Sequence, residues 1–152
     1  MMPQNFHSRM IALALFLSFL LLLPAAFATD YSSGVSAKTL KKTMVTGNGE
    51  KISYPQTDKA EVTAMTVDLA PGAETGWHQH PIPVYAYVVN GNLSVELADG
   101  TILAFSAGDA IIEVVNVMHN GKNSGKEAVR LAVFYLGIEG NTNVIKNAAV
   151  IK

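Results

Sequence analysis

Residues 84–105, VYAYVVNGNLSVELADGTILAF, decide how the chain folds. In the middle of this stretch Leu93, Val95 and Leu97 alternate with Ser94, Glu96 and Ala98. A period of two turns successive side chains to opposite faces of an extended strand, so one face is core and the other is wet. Asn90-Gly91 separates VYAYVV from NLSVEL, and Asp99-Gly100 separates NLSVEL from TILAF. Both dipeptides suit the type I′ turn, whose central residues need positive φ, and each is expected to close a β-hairpin.

The same pattern continues in both directions. Upstream, from Glu61, the residues Met65, Val67 and Leu69 alternate with Thr66 and Asp68 until Pro71-Gly72 turns the chain, so Met65 is expected in the core. Downstream, Gly108-Asp109 opens AIIEVV, and a loop around Gly121 to Gly125 leads into VRLAVFYLG, apolar on both faces as a central strand is. Ahead of the core, TLKKTMVT and KISYP read as two short extended pieces on either side of Gly47-Asn48-Gly49. No segment after Ala28 shows a helical period. Short strands punctuated by Gly, Asn and Asp predict an all-β sandwich or barrel. One domain is expected, with N-terminal strands over 39–60, a barrel core over 61–138 and a C-terminal extension over 139–152 that supplies a last edge strand.

The first 28 residues stand apart. Arg9 precedes an apolar run, Met10 to Leu23, broken by Pro24 just before Ala26-Phe27-Ala28. The run is shorter than the about 20 residues a membrane span needs, and Ala-Phe-Ala fits a signal-peptidase site. Residues 1–28 are therefore expected to be a secretory signal cleaved after Ala28, the protein being secreted or periplasmic with no membrane attachment afterwards. Residues 29–38 (TDYSSGVSAK) read as a flexible arm. The chain beyond Ala28 holds 10 basic and 12 acidic residues spread along its length, no footprint for nucleic acid. The chain has no cysteine, which excludes disulfides, thiolate metal sites and a catalytic thiol.

The chain has 4 histidines. His7 lies in the signal segment, and the others sit in GWHQHP and VNVMHNGKN. His78 and His80 are two apart, which on a strand points both imidazoles to one face about 7 Å apart, within reach of a shared ion. His119 must come from another strand, as the interior of a closed sheet allows.

These segments resemble the two motifs of the cupin family. The first motif runs Gly, five residues, His-x-His, three or four residues, Glu, six residues, Gly, and here Gly72, His78, His80 and Gly91 fall in place. The second runs Gly, five residues, Pro-x-Gly, two residues, His, three residues, Asn, and Gly108, His119 and Asn123 match. The resemblance covers about 61–137. It implies a double-stranded β-helix, a jelly-roll barrel, holding one divalent transition-metal ion (Fe, Zn, Mn, Ni or Cu) through His78, His80 and His119. Three departures stand out. Val84 occupies the usual glutamate position, and Val114 and Asn116 replace the Pro and Gly of the second turn.

Without that glutamate, three neutral imidazoles leave the full divalent charge on the ion, which favours an anionic or enolisable ligand. Glu113 is the candidate substitute. It lies six residues before His119 and would share its face if the strand ran without a bulge; it is either a fourth ligand or a carboxylate behind the ligands. Parity turns Tyr85 and Trp77 away from the pocket. Cupins with three-histidine iron sites activate dioxygen toward chelating substrates, so the resemblance implies a dioxygenase-like metal enzyme acting on a small molecule. The alternative is a non-catalytic module that captures a metal or small ligand. The resemblance also implies pairing into a homodimer.

Overall fold

The computed structural model describes residues 33–146. The expected signal over 1–28, the first four residues of the expected arm, 29–32, and the end of the extension, 147–152, lie outside the described residues. From Thr39 onward the chain forms one compact unit. Its strands are β1 (Ala60–Leu69), β2 (His78–Gln79), β3 (Val84–Asn90), β4 (Asn92–Leu97), β5 (Ile102–Ser106), β6 (Ala110–Ile112), β7 (His119–Lys122), β8 (Val129–Ile138) and β9 (Ile145–Lys146). No helix occurs among the described residues.

Two antiparallel sheets face one another, one in the order β1-β8-β3-β6 and the other β5-β4-β7-β2-β9. Consecutive strands fall in opposite sheets except for β4 and β5, so the chain winds back and forth around one core. This is a double-stranded β-helix, the jelly-roll barrel. β8 is central, paired with β1 from Ala60↔Ile138 to Leu69↔Val129 and with β3 on its other side. Alternation supplies the core. From β3, Val84, Ala86 and Val88 point inward; from β4, Leu93, Val95 and Leu97; from β8, Val129, Leu131, Val133 and Tyr135. Each valine or leucine among them contributes about 1.5–3 kcal/mol when taken out of water.

The strand reading fails at particular points. Asn90-Gly91 does not close a hairpin, because β3 and β4 belong to different sheets. The register of β3 against β8 shifts between Val88 and Asn90, and the Asn90 amide donates to the Ala128 carbonyl at 2.9 Å. The bend thus carries the chain across the barrel. Asp99-Gly100 does turn β4 into β5, but Asp99 keeps a negative φ and Gly100 alone is left-handed at 85°. Gly100 N–H donates to Leu97 O at 2.9 Å, and Leu97 N–H to Thr101 O at 2.8 Å. The result is a three-residue loop rather than a type I′ turn.

The strands expected over 39–60 reduce, ahead of β1, to a single bridge between Val45 and Lys51 around the Gly47–Gly49 turn. Met65 shares the inward face of β1 but is 47% exposed; β1 is the edge strand of its sheet. The extension does supply an edge strand, β9, which pairs with β2.

Gly91 has φ 82°, and a Cβ there would lie 2.8 Å from the Ala128 carbonyl oxygen. Gly100 has a similar φ, but its Cβ would meet open space. Gly100→Ala should therefore cost roughly 1–2 kcal/mol of stability. Gly91→Ala should cost about 2–4 kcal/mol, because crowding is added to the backbone strain. Urea unfolding of the two variants measures the difference, and equal losses would contradict the packing assigned to Gly91.

Candidate metal centre

The two halves of the histidine cluster meet because β2 pairs with β7 so that His78 lies opposite His119. His80 follows two residues later on the same face. The three rings gather at one place, with centroids 4.9 Å apart for His78 and His80, 4.4 Å for His78 and His119, and 5.1 Å for His80 and His119. His80 and His119 are buried and His78 is half-buried.

Every ring is tethered through Nδ1. His78 Nδ1 lies 2.7 Å from Gly76 O, His119 Nδ1 2.9 Å from Val117 O, and His80 Nδ1 2.8 Å from Asn143 O. A carbonyl can only accept, so each Nδ1 carries the proton and each Nε2 keeps its lone pair. One ligand nitrogen from each ring lies within 4.8 Å of the others. Burial lowers all three pKa values, that of His80 to about 4, which keeps the imidazoles neutral.

A cavity of about 50 Å³ opens on the cluster, lined also by Thr75, Val84, Glu113 and Tyr135. It has room for an ion and a ligand of a few heavy atoms. Glu113 Oε2 is 3.8 Å from His119 Nε2, and desolvation pushes the Glu113 carboxyl up to about 7. Tyr135 stands edge-on to His80 with centroids 5.5 Å apart.

Glu113 faces the cavity, though not for the reason its spacing suggested. No strand runs from Glu113 to His119: β6 ends at Ile112, β7 lies in the other sheet, and Asn116 between them is left-handed at φ 56°. Glu113 is inward because it continues the β3–β6 register opposite Val84, where its N–H donates to Val84 O at 3.0 Å. Tyr85 points outward as expected, its hydroxyl donating to that of Tyr54 at 3.0 Å. Trp77 and Met118 are half-buried and do not line the cavity.

Three contributions had no signal in the sequence reading. Thr75 Oγ1 accepts from Gly121 N–H at 2.9 Å and so holds the segment before β2 against β7. Tyr135 enters the cavity from the far end of β8. The Asn143 anchor is a main-chain oxygen, which any residue type supplies, so side-chain chemistry could not announce it.

Residues 65–135 match the family model described as "Cupin domain". The barrel belongs to the cupin family. The chain is also similar in structure to an oxalate oxidase, at 24% identity over 56% of this chain and 45% of that one, with a TM-score of 0.48. An oxalate decarboxylase from Lactobacillus farciminis, in a formate complex, is 26% identical over 56% of this chain and 26% of that one, with a TM-score of 0.47. An uncharacterized conserved protein with a double-stranded β-helix domain from Klebsiella pneumoniae is 24% identical over 59% of this chain and 75% of that one, with a TM-score of 0.45. The chain spans less than half the length of the first two. No curated protein sequence matches it.

The cupin motif residues divide by role. Gly72, Gly91 and Gly108 take positive φ values that a side chain would strain. Asn123 is fully buried. Its amide donates to Leu69 O at 3.0 Å and Glu127 O at 2.8 Å, and its oxygen accepts from Gly125 N–H at 2.9 Å. It therefore ties the end of β1 to the loop before β8 and takes no part in the cavity. Asn116, at the motif's second glycine position, takes a left-handed backbone with φ 56°, and its N–H donates to His80 O at 2.8 Å. Val114, in place of proline, is 1% exposed and belongs to the core.

Proposed function

We propose that this cupin is an exported metal protein in which His78, His80 and His119 hold one divalent transition-metal ion and present it to a small anionic or enolisable molecule. The observation that carries the reading is the common tautomer. Three Nδ1 protons are spent on backbone carbonyls, so three Nε2 lone pairs are left facing one another. Lone pairs so arranged repel unless a cation lies among them, and neutral imidazole is a fitting donor for Fe, Zn, Mn, Ni or Cu. Donors bound at about 2.0–2.2 Å to one ion stand at most about 4.4 Å apart, so the rings need close by only a few tenths of an ångström.

A bound ion supplies Lewis acidity and a positive charge that selects an anionic oxygen donor. The chain's own residues confine that ligand. Val84, Leu131 and Val133 exclude water on one side, and the cavity's size limits the ligand to a small molecule. Glu113 and Tyr135 are the acidic groups that line the cavity beside the histidines. We favour a metal-dependent enzyme of dioxygenase type. Simple capture of the same ligand is the second reading, favoured by the scarcity of acid–base groups in the lining.

The export part of the reading is supported by the apolar run before Ala26-Phe27-Ala28. A homodimer is supported by the outer face of the β1-β8-β3-β6 sheet, where Val62, Tyr87 and Phe134 are exposed. An exported chain beginning at Thr29 by mass, and sedimenting as two copies, is the expected result for these two.

Untagged protein should contain about one ion per chain by elemental analysis, and His78→Ala and His119→Ala should each lose most of it. Metal at 100 times its Kd should raise unfolding free energy by about 2.7 kcal/mol, and a chelator should remove that gain. Metal content indifferent to all three histidines would defeat the reading. Oxygen uptake by iron-loaded protein, across diketones, phenols and hydroxy acids, separates the enzyme from the binder. The enzyme turns over at least one class, whereas the binder is stabilised without turnover.

A further inference from the structure

We propose that Glu113 is a direct carboxylate ligand of this site, replacing from across the strand pair the glutamate that the cupin motif places where Val84 stands. The inference rests on the three-histidine reading and adds a fourth donor to it.

The register makes the replacement natural. β3 and β6 pair through Tyr85↔Ile112, Ala86↔Ile111 and Tyr87↔Ala110, and the next pair in that register is Val84 with Glu113. Residues directly opposite one another project from the same face, their Cβ atoms about 4.5–5.5 Å apart. A glutamate on either strand can therefore carry its carboxylate to the same part of the barrel interior. Val84 is 1% exposed and packed in the core, while the Glu113 side chain is 14% exposed and lines the cavity.

The contact with His119 narrows what the carboxylate can do there. Glu113 cannot orient the ring, because the His119 Nδ1 proton is already donated to Val117 O. The atom it faces is Nε2, the lone-pair nitrogen, at 3.8 Å. This is too long for a hydrogen bond, so neither the carboxyl nor the ring nitrogen gains a partner from the contact. From His119 this lies within the about 4.4 Å that two donors to one ion can span; the three histidines alone have ligand atoms all within 4.8 Å of one another, so the Glu113 side chain swings toward His78 and His80 as the ion binds. Among the described residues the carboxylate has no other hydrogen bond or ion pair. A cation shared with His119 gives both atoms a partner at once. The centre would then carry one positive charge rather than two, still suited to an anionic ligand.

The test uses Zn²⁺ affinity by competition with a chelator and the visible spectrum of the Co²⁺-loaded protein, neither of which depends on turnover. Glu113→Gln, nearly the same shape, should weaken Zn²⁺ binding at least about tenfold and change the Co²⁺ bands, because a carboxylate oxygen leaves the coordination sphere. The combined variant Val84→Glu with Glu113→Val, which restores the motif's arrangement, should recover most of the affinity and the original bands. An unchanged affinity and spectrum in Glu113→Gln, with binding still lost in His119→Ala, would overturn the carboxylate ligand and leave the three-histidine reading standing. Binding that survives His119→Ala would overturn both.

Discussion

Three backbone carbonyls, those of Gly76, Val117 and Asn143, accept the Nδ1–H groups of His78, His119 and His80, and the chemistry of the site depends on those bonds. They choose the tautomer, fix the ring planes and turn the Nε2 lone pairs toward a common centre. They also leave the buried rings with a satisfied polar edge, without which desolvation would penalise the packing. Two of these acceptors lie two residues before their histidine and belong to the same short segment. The third lies 63 residues away and reaches His80 only because the chain returns after β8 to add β9 to the edge of β2.

The winding of the barrel makes this possible. Strands of two residues, such as β2, cannot hold a histidine in place alone; β2 is held because β7 and β9 pair with it on either side. The chain can alternate between sheets because it bends sharply where it must. Gly91 packs against Ala128 and Val129 at one crossing, and Asn116 takes a left-handed backbone at another. Asn123 gathers three main-chain groups around the end of β1. These residues shape the barrel, while the histidines and Glu113 face its interior.

The relation of Val84 to Glu113 illustrates how pairing redistributes function. Along the chain the two are 29 positions apart, and the spacing of Glu113 from His119 invites a comparison along one continuous strand. No such strand exists, since Val114 to Met118 turn the chain into the other sheet. The side of the sheet that Glu113 occupies is decided by its neighbour on β3. Asn90-Gly91 behaves in a similar way, because a dipeptide able to reverse a chain is equally able to bend it toward the opposite sheet.

By itself, the amino-acid sequence determined the all-β class, the inward and outward faces of β3 and β4, the central position of β8 and the identity of the three clustered histidines. Each of these rests on side-chain period, or on residue type at a set spacing, and both are local properties. Only the tertiary structure decided which strands share a sheet, that Asn90-Gly91 crosses the barrel, that Met65 lies partly in solvent, and that the Asn143 carbonyl anchors His80. Those outcomes depend on pairing between distant segments and on main-chain atoms common to every residue, and the order of side chains does not encode either one locally.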